Sequence, residues 1–216
     1  MTKRVSSALL MAAALALTPI SQGKTHPHAF IDITVEAQFD EAGQLTALEQ
    51  TWLFDVAYTA FALFDLRGKT AEEQQATLDA IVGQNLTELA AFDYFTEIRQ
   101  GDDIIATGTA IKQGTALVNQ RIEMRFTLPV TDATNPGTPV TYEVFDPTYY
   151  IEMRHQLGAK AIQVSHPGEA CDYQLIEPTP TTEQIFFAAS IPPQVTAPEG
   201  LGRLFTETVT ITCGEG

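Results

Sequence analysis

Two runs of strict alternation constrain this chain more than any other feature. Between residues 28 and 39, Ala29, Ile31, Ile33 and Val35 take every second position, with His28, Phe30, Asp32 and Thr34 between them. Farther on, Ile122, Met124, Phe126 and Leu128 do the same against Arg121, Glu123, Arg125 and Thr127. A period of two gives a strand one apolar and one polar face, so each run must bury one side of a sheet. The first strand turns at Glu41-Ala42-Gly43-Gln44 and returns from Leu45 to Phe54.

Helical signals then interrupt the strands. Asp55 is placed to cap a short helix that runs to about Leu66, and Gly68 ends it. Thr70-Ala71-Glu72-Glu73 fits a capping box, in which hydroxyl and carboxylate satisfy free backbone amides. The helix after it carries Leu78, Ile81, Val82, Leu86 and Leu89 on one face. Strands resume with Phe95 to Arg99 and Ile104 to Thr109 around Gly101-Asp102-Asp103, a hairpin signal. Asn135-Pro136-Gly137 precedes a strand from Val140 to Phe145. A short helix over Glu183 to Ala189 lies between proline-rich connectors, and Phe205 to Cys213 closes the chain. The pattern predicts an α+β fold: an antiparallel, sandwich-like sheet domain with a two-helix insertion.

The start of the chain reads as an export signal. Lys3 and Arg4 precede an apolar run from Val5 to Leu17, too short for the ~20 residues a membrane helix needs. Cleavage is expected after Gly23, with Ala16 the alternative. The expected division is 1–23 signal peptide and 24–216 one periplasmic domain, with no stable membrane insertion.

Export decides how the only cysteines are read. Cys171 and Cys213 each end a strand-like alternation, and an oxidising compartment favours a disulfide between them. Closing that loop would add roughly 4 kcal/mol in the chain-entropy picture. A redox or metal role for so distant a pair is the weaker reading.

Lys+Arg 12 against Asp+Glu 27 gives a formal charge of -15, which excludes nucleic acid as the main partner and suits cations. The chain has no Gly-x-Ser-x-Gly elbow, no phosphate-binding glycine loop and no nucleophile–base pair, so no enzymatic role is expected.

The chemistry gathers at His26-Pro27-His28. Along an extended strand both imidazoles point the same way, roughly 6–7 Å apart at Cα, within reach of one metal ion. Asp32 shares that face but lies roughly 13 Å from His28. Neutral imidazoles take nickel, cobalt, copper and zinc alike. If the mature chain begins Lys24-Thr25-His26, a third-position histidine can also form a square-planar four-nitrogen chelate suited to Cu(II) or Ni(II). His155 and His166 read as solvated loop histidines. Phe145-Asp146-Pro147-Thr148-Tyr149-Tyr150 marks a strand end and an Asp-Pro turn. There Asp146 either ties the turn to itself, the favoured reading, or joins Tyr149 and Tyr150 in a ligand pocket.

Several of these stretches together resemble one bacterial family. His26-Pro27-His28-Ala29-Phe30-Ile31-Asp32, Trp52-Leu53-Phe54-Asp55, Phe92-Asp93-Tyr94-Phe95, Phe145 to Tyr150 and Glu207 to Cys213 occur in order across the mature chain. The family is domain of unknown function 1007, described as a periplasmic component of ABC-type transport. Its members are commonly encoded beside nickel/cobalt permeases of the efflux type. The resemblance implies a periplasmic partner in transition-metal transport, with His26, His28 and Asp32 as the functional positions, and it also supports the cysteine pairing. Many relatives carry an aspartate-rich, calcium-loop-like stretch between the two helices. Here Asp65-Leu66-Arg67-Gly68-Lys69-Thr70 stands there with two basic residues, so no calcium site is expected.

The expectation is therefore a non-enzymatic periplasmic accessory of nickel or cobalt transport, with copper or zinc as the other metals. Its partners would be an inner-membrane metal permease or ABC transporter components. A solute-binding component and a non-metal structural partner of a permease are the alternatives. About 190 residues is small for a two-lobed clamp when domains run ~100–200 residues.

Overall fold

A computed structural model describes residues 26–64, 68–167, 170–192 and 194–214. The expected signal peptide, the Lys24-Thr25 start and Asp65 to Arg67 of the loop judged for calcium lie outside the described residues.

The chain runs β1 (Ala29–Phe39), β2 (Leu45–Phe54), α1 (Val56–Ala62), α2 (Ala71–Leu89) and a 3-10 segment, Ala90–Phe95. It continues through β3 (Thr96–Gln100), β4 (Asp103–Ile104), β5 (Ile111–Val118), β6 (Arg121–Pro129) and β7 (Val140–Val144). Then come β8 (Ile151–His155), β9 (Ile162–Ser165), β10 (Cys171–Ile176), α3 (Thr182–Ser190) and β11 (Thr208–Cys213). One sheet has the order β5-β6-β2-β1-β8, with β9 also on β1; the other has the order β10-β11-β7-β3-β4. Neighbours are antiparallel except β8 and β9, which run parallel to β1. The fold is α+β, two largely antiparallel sheets with helices inserted between β2 and β3.

The alternation explains the packing. Ile31, Ile33, Trp52, Met124 and Phe126 of the first sheet and Ile98, Tyr142, Val209 and Ile211 of the second form one core. The alternate residues of β1 turn outward, and Asp32, Thr34 and Glu36 are only partly buried.

Both insertion helices begin as their caps dictate. Asp55 accepts from the Tyr58 N–H, and Thr70 and Glu73 exchange the two bonds of a capping box. On α2, Leu78, Val82 and Leu86 are buried.

One expected strand shortens, and two stretches that the sequence pattern left unassigned prove to hold strands. The partner of β3 is two residues long, because the chain leaves this sheet at Ala106, where its carbonyl accepts from Thr131 and its N–H donates to Asp132. β5 follows from a two-residue hairpin at Asn119 and Gln120, both with positive φ as such turns require. Its faces are mostly open to solvent, which erased the alternation that would reveal it. The region after Tyr150 is ordered by β8 and β9 on β1. Cys171 and Cys213 face each other in β10 and β11 and form a disulfide, with Cα atoms 4.2 Å apart. Among the described residues, no helix is long and apolar enough to cross a membrane.

Candidate functional site

The N-terminal end of β1 is held from both sides. The Asp55 carboxylate accepts from the Phe30 N–H at 2.9 Å, and the Asp55 N–H donates to the Phe30 carbonyl. On the other flank the His28 N–H donates to the Tyr150 carbonyl at 2.8 Å. β1 itself starts at Ala29, so His26 and His28 are not on an extended strand, and the His26–Pro27 peptide is cis. Their ring centroids lie 4.8 Å apart, and the Tyr150 ring lies 5.8 Å from His26 and 4.7 Å from His28.

His26 is 5% exposed, and its Nδ1 lies 3.3 Å from the Tyr149 carbonyl oxygen. A carbonyl only accepts, so Nδ1 carries the proton and Nε2 the lone pair. That Nε2 is buried and makes no hydrogen bond among the described residues. Leaving such an acceptor unsatisfied costs about 1–3 kcal/mol. A carbonyl on one imidazole nitrogen and a free lone pair on the other is the arrangement of a metal-ligating histidine. The third-position chelate also closes its ring through Nδ1, the nitrogen that Tyr149 engages here.

The turn that supplies this carbonyl is built by Asp146. Its Oδ1 accepts from the N–H and hydroxyl of Thr148, each at 2.8 Å, and its Oδ2 from the Ile151 N–H at 3.1 Å. Tyr149 sits at φ +56, stacks on Phe205 at 4.0 Å and donates its hydroxyl to Glu152. Burial, then the Glu152 charge, hold its phenol well above the ordinary value. Gly202 closes the back of the turn: a Cβ there would stand 1.8 Å from the Asp146 carbonyl oxygen. In this stretch the Asp146 carboxylate ties the turn to itself, the favoured reading, while the Tyr149 hydroxyl is bonded to Glu152 and its carbonyl faces His26. Tyr150 alone of the three joins the histidines through its side chain.

The Asp32 carboxylate is engaged elsewhere. Its Oδ2 pairs with Arg121 Nη1 at 2.6 Å, while Nε and Nη2 of the same guanidinium donate to the Phe54 and Leu53 carbonyls. Asp32 thus fastens β1 to the end of β2 and is not gathered with His26 and His28. Among the described residues no three His, Cys, Asp or Glu side chains form a metal-holding group.

The two other histidines are not solvated loop residues. His166 is half-buried and stacks on Phe39 at 5.7 Å. His155 lies in the core, with Nδ1 2.8 Å from Glu207 Oε2 and Nε2 3.0 Å from the Tyr142 hydroxyl. Its N–H donates to the same Glu207 oxygen at 2.7 Å. Burial pushes the Glu207 carboxyl up, but these bonds from His155 outweigh it and hold the group below the ordinary carboxylate value. Burial and the Glu207 charge push the Tyr142 phenol well up. The alternation Ile151, Met153, His155 was the available signal that His155 faces inward.

Fold and site define an α+β sandwich with a buried His26 and a partly buried His28 side by side at the start of β1. The chain belongs to the family described as "Protein of unknown function (DUF1007)", which matches residues 11–213. It is similar to an uncharacterized protein of Haemophilus influenzae, 26% identical over 191 residues, covering 87% of this chain and 91% of that protein. No solved structure matches it.

Proposed function

We propose that this is an exported, non-enzymatic periplasmic protein that holds a transition-metal ion, nickel or cobalt, at His26 and His28 and serves an inner-membrane metal permease or ABC transporter. One observation carries the reading: the two imidazoles lie side by side, with the buried His26 Nε2 lone pair unused.

The donors fit such an ion in kind. Imidazole nitrogen suits nickel, cobalt, copper and zinc, and the Tyr149 carbonyl fixes the tautomer that ligation needs. Two protein donors leave the rest of the coordination sphere to solvent or to a partner, which favours handing the ion on over retaining it. The bound ion would supply the charge that a partner recognises; the chain's part is to orient two imidazoles and shelter them beneath Tyr150. The formal charge of -15 raises the local cation concentration.

Titration calorimetry with Ni(II), Co(II), Cu(II) and Zn(II) tests this. The reading requires one site per chain, abolished in His26→Ala/His28→Ala and retained in Asp32→Asn. Equal heats from the wild type and the double variant would leave a permease partner in which the histidines are incidental.

A further inference from the structure

A cavity of about 590 Å³ opens beside β3 and the turn before it, and none of His26, His28 and Tyr150 lines it. This volume is in the range of small-molecule sites, ~300–1,000 Å³. Phe92, Phe95 and Phe145 supply aromatic wall, and Asp93 and Glu199 supply carboxylates. Among the described residues neither carboxylate has an ion-pair partner.

The wall already holds one organic cation. The Arg203 guanidinium lies over the Phe145 ring, 4.7 Å from its centroid. It bonds Glu143 through Nη1 and Glu97 through Nη2, the latter at 2.5 Å. An aromatic face backed by carboxylates is a cation-binding arrangement, and this corner uses it on its own side chain.

The chain spends conformational energy to build the opposite wall. Asp93, Tyr94 and Phe95 follow one another at φ 49, 54 and 55. Each non-glycine residue in that region costs roughly 1–2 kcal/mol, and strain of this kind gathers at functional sites. The turn sends Tyr94 into the core and leaves Phe92 58% exposed at the cavity. Phe92 and Phe95 also line a second, largely apolar cavity of about 220 Å³, which Trp52 shares. One surface thus offers uncompensated carboxylates next to aromatic rings.

We propose that this cavity binds a small organic cation with an apolar body, an amine or quaternary ammonium whose charge faces Asp93 and Glu199 and whose body lies on Phe92 and Phe95. The carboxylates exclude organic anions. A hard divalent ion such as calcium takes about 6–8 oxygen ligands, whereas this wall pairs two carboxylates with aromatic rings, which suit an organic cation. This inference is independent of the histidine pair.

Trp52 is the only tryptophan and stacks on Phe95, with centroids 6.4 Å apart and planes 9° from parallel, so its fluorescence reports on this turn. The test titrates the full chain, in the presence of a metal chelator, with benzyltrimethylammonium, with tetramethylammonium and with phenylacetate. The proposal requires saturable binding of benzyltrimethylammonium, weaker binding of tetramethylammonium and none of phenylacetate. In Asp93→Asn/Glu199→Gln the benzyl cation should bind about tenfold more weakly, two partly exposed charges having been removed. Asn tolerates the left-handed backbone, so the turn survives, which the variant's circular dichroism and thermal unfolding verify. No saturable response to benzyltrimethylammonium would overturn the proposal. So would equal binding of phenylacetate, an unchanged double variant, or tetramethylammonium binding as well as the benzyl cation.

Discussion

The Tyr149 carbonyl oxygen lies 3.3 Å from Nδ1 of His26, a residue 123 positions earlier in the chain. Through this contact the Asp-Pro turn sets which nitrogen of the buried imidazole is free. Two sequence motifs that look unrelated thus form one corner.

Asp146 should control metal affinity without touching metal. Its carboxylate holds the Thr148 N–H and hydroxyl and the Ile151 N–H, which shape the turn at Tyr149. Asp146→Asn removes the charge and part of this bonding. Affinity should fall about 10–100-fold, the usual effect of losing support behind a metal-ligating histidine, with stoichiometry kept. Calorimetry beside a urea unfolding curve separates loss of affinity from loss of fold.

Gly202 should tolerate no side chain. A Cβ would meet the Asp146 carbonyl oxygen at 1.8 Å, and that oxygen belongs to backbone that cannot swing aside. Gly202→Ala should lower stability by about 3 kcal/mol or more, the upper end for overpacking. Gly137→Ala provides the contrast: it has open space around it, and its φ of +73 limits its cost to local strain. Thermal unfolding of the two variants measures the difference.

Acid should unfold the protein partly through Glu207. Its folded carboxyl titrates below the ordinary value of 4.5 because of its bonds from His155, even against burial. A depressed carboxyl contributes stability that is fully present above the unfolded pKa and lost as pH falls through the folded one. Urea midpoints followed downward from pH 4.5 should therefore drop more steeply in the wild type than in Glu207→Gln. Parallel curves would remove Glu207 from the acid response.

The disulfide joins the last strand to its neighbour. Reducing it, or changing Cys171 and Cys213 to Ser, should cost about 4 kcal/mol, the loop-closure entropy returned to the unfolded chain. Denaturant unfolding with and without reductant measures this.

Much of the sandwich was legible because β1, β2 and β6 bury one face each and so print their pleat into the sequence. The caps of α1 and α2 were legible because short polar side chains complete them locally. Strand direction was not, since alternation is the same for parallel β8 and antiparallel β2. The histidine pair was legible in His26-Pro27-His28, but its setting was not. Its key contact comes from a backbone carbonyl, which every residue carries, and the conformation that aims it is a positive φ at a tyrosine. Asp32 is the opposite case: the family resemblance alone marked it as functional, and its partner Arg121, 2.6 Å away across the sheet, leaves no trace in local spacing.

The central claim is most directly tested by native mass spectrometry of the protein exported to the periplasm, with Ni(II), Co(II), Cu(II) and Zn(II) supplied in turn. The account predicts a chain shortened at its N-terminus, two hydrogens lighter for the disulfide, and carrying one nickel or cobalt ion that disappears in His26→Ala/His28→Ala. A metal-free chain at every supply, or a metal retained by the double variant, would contradict it.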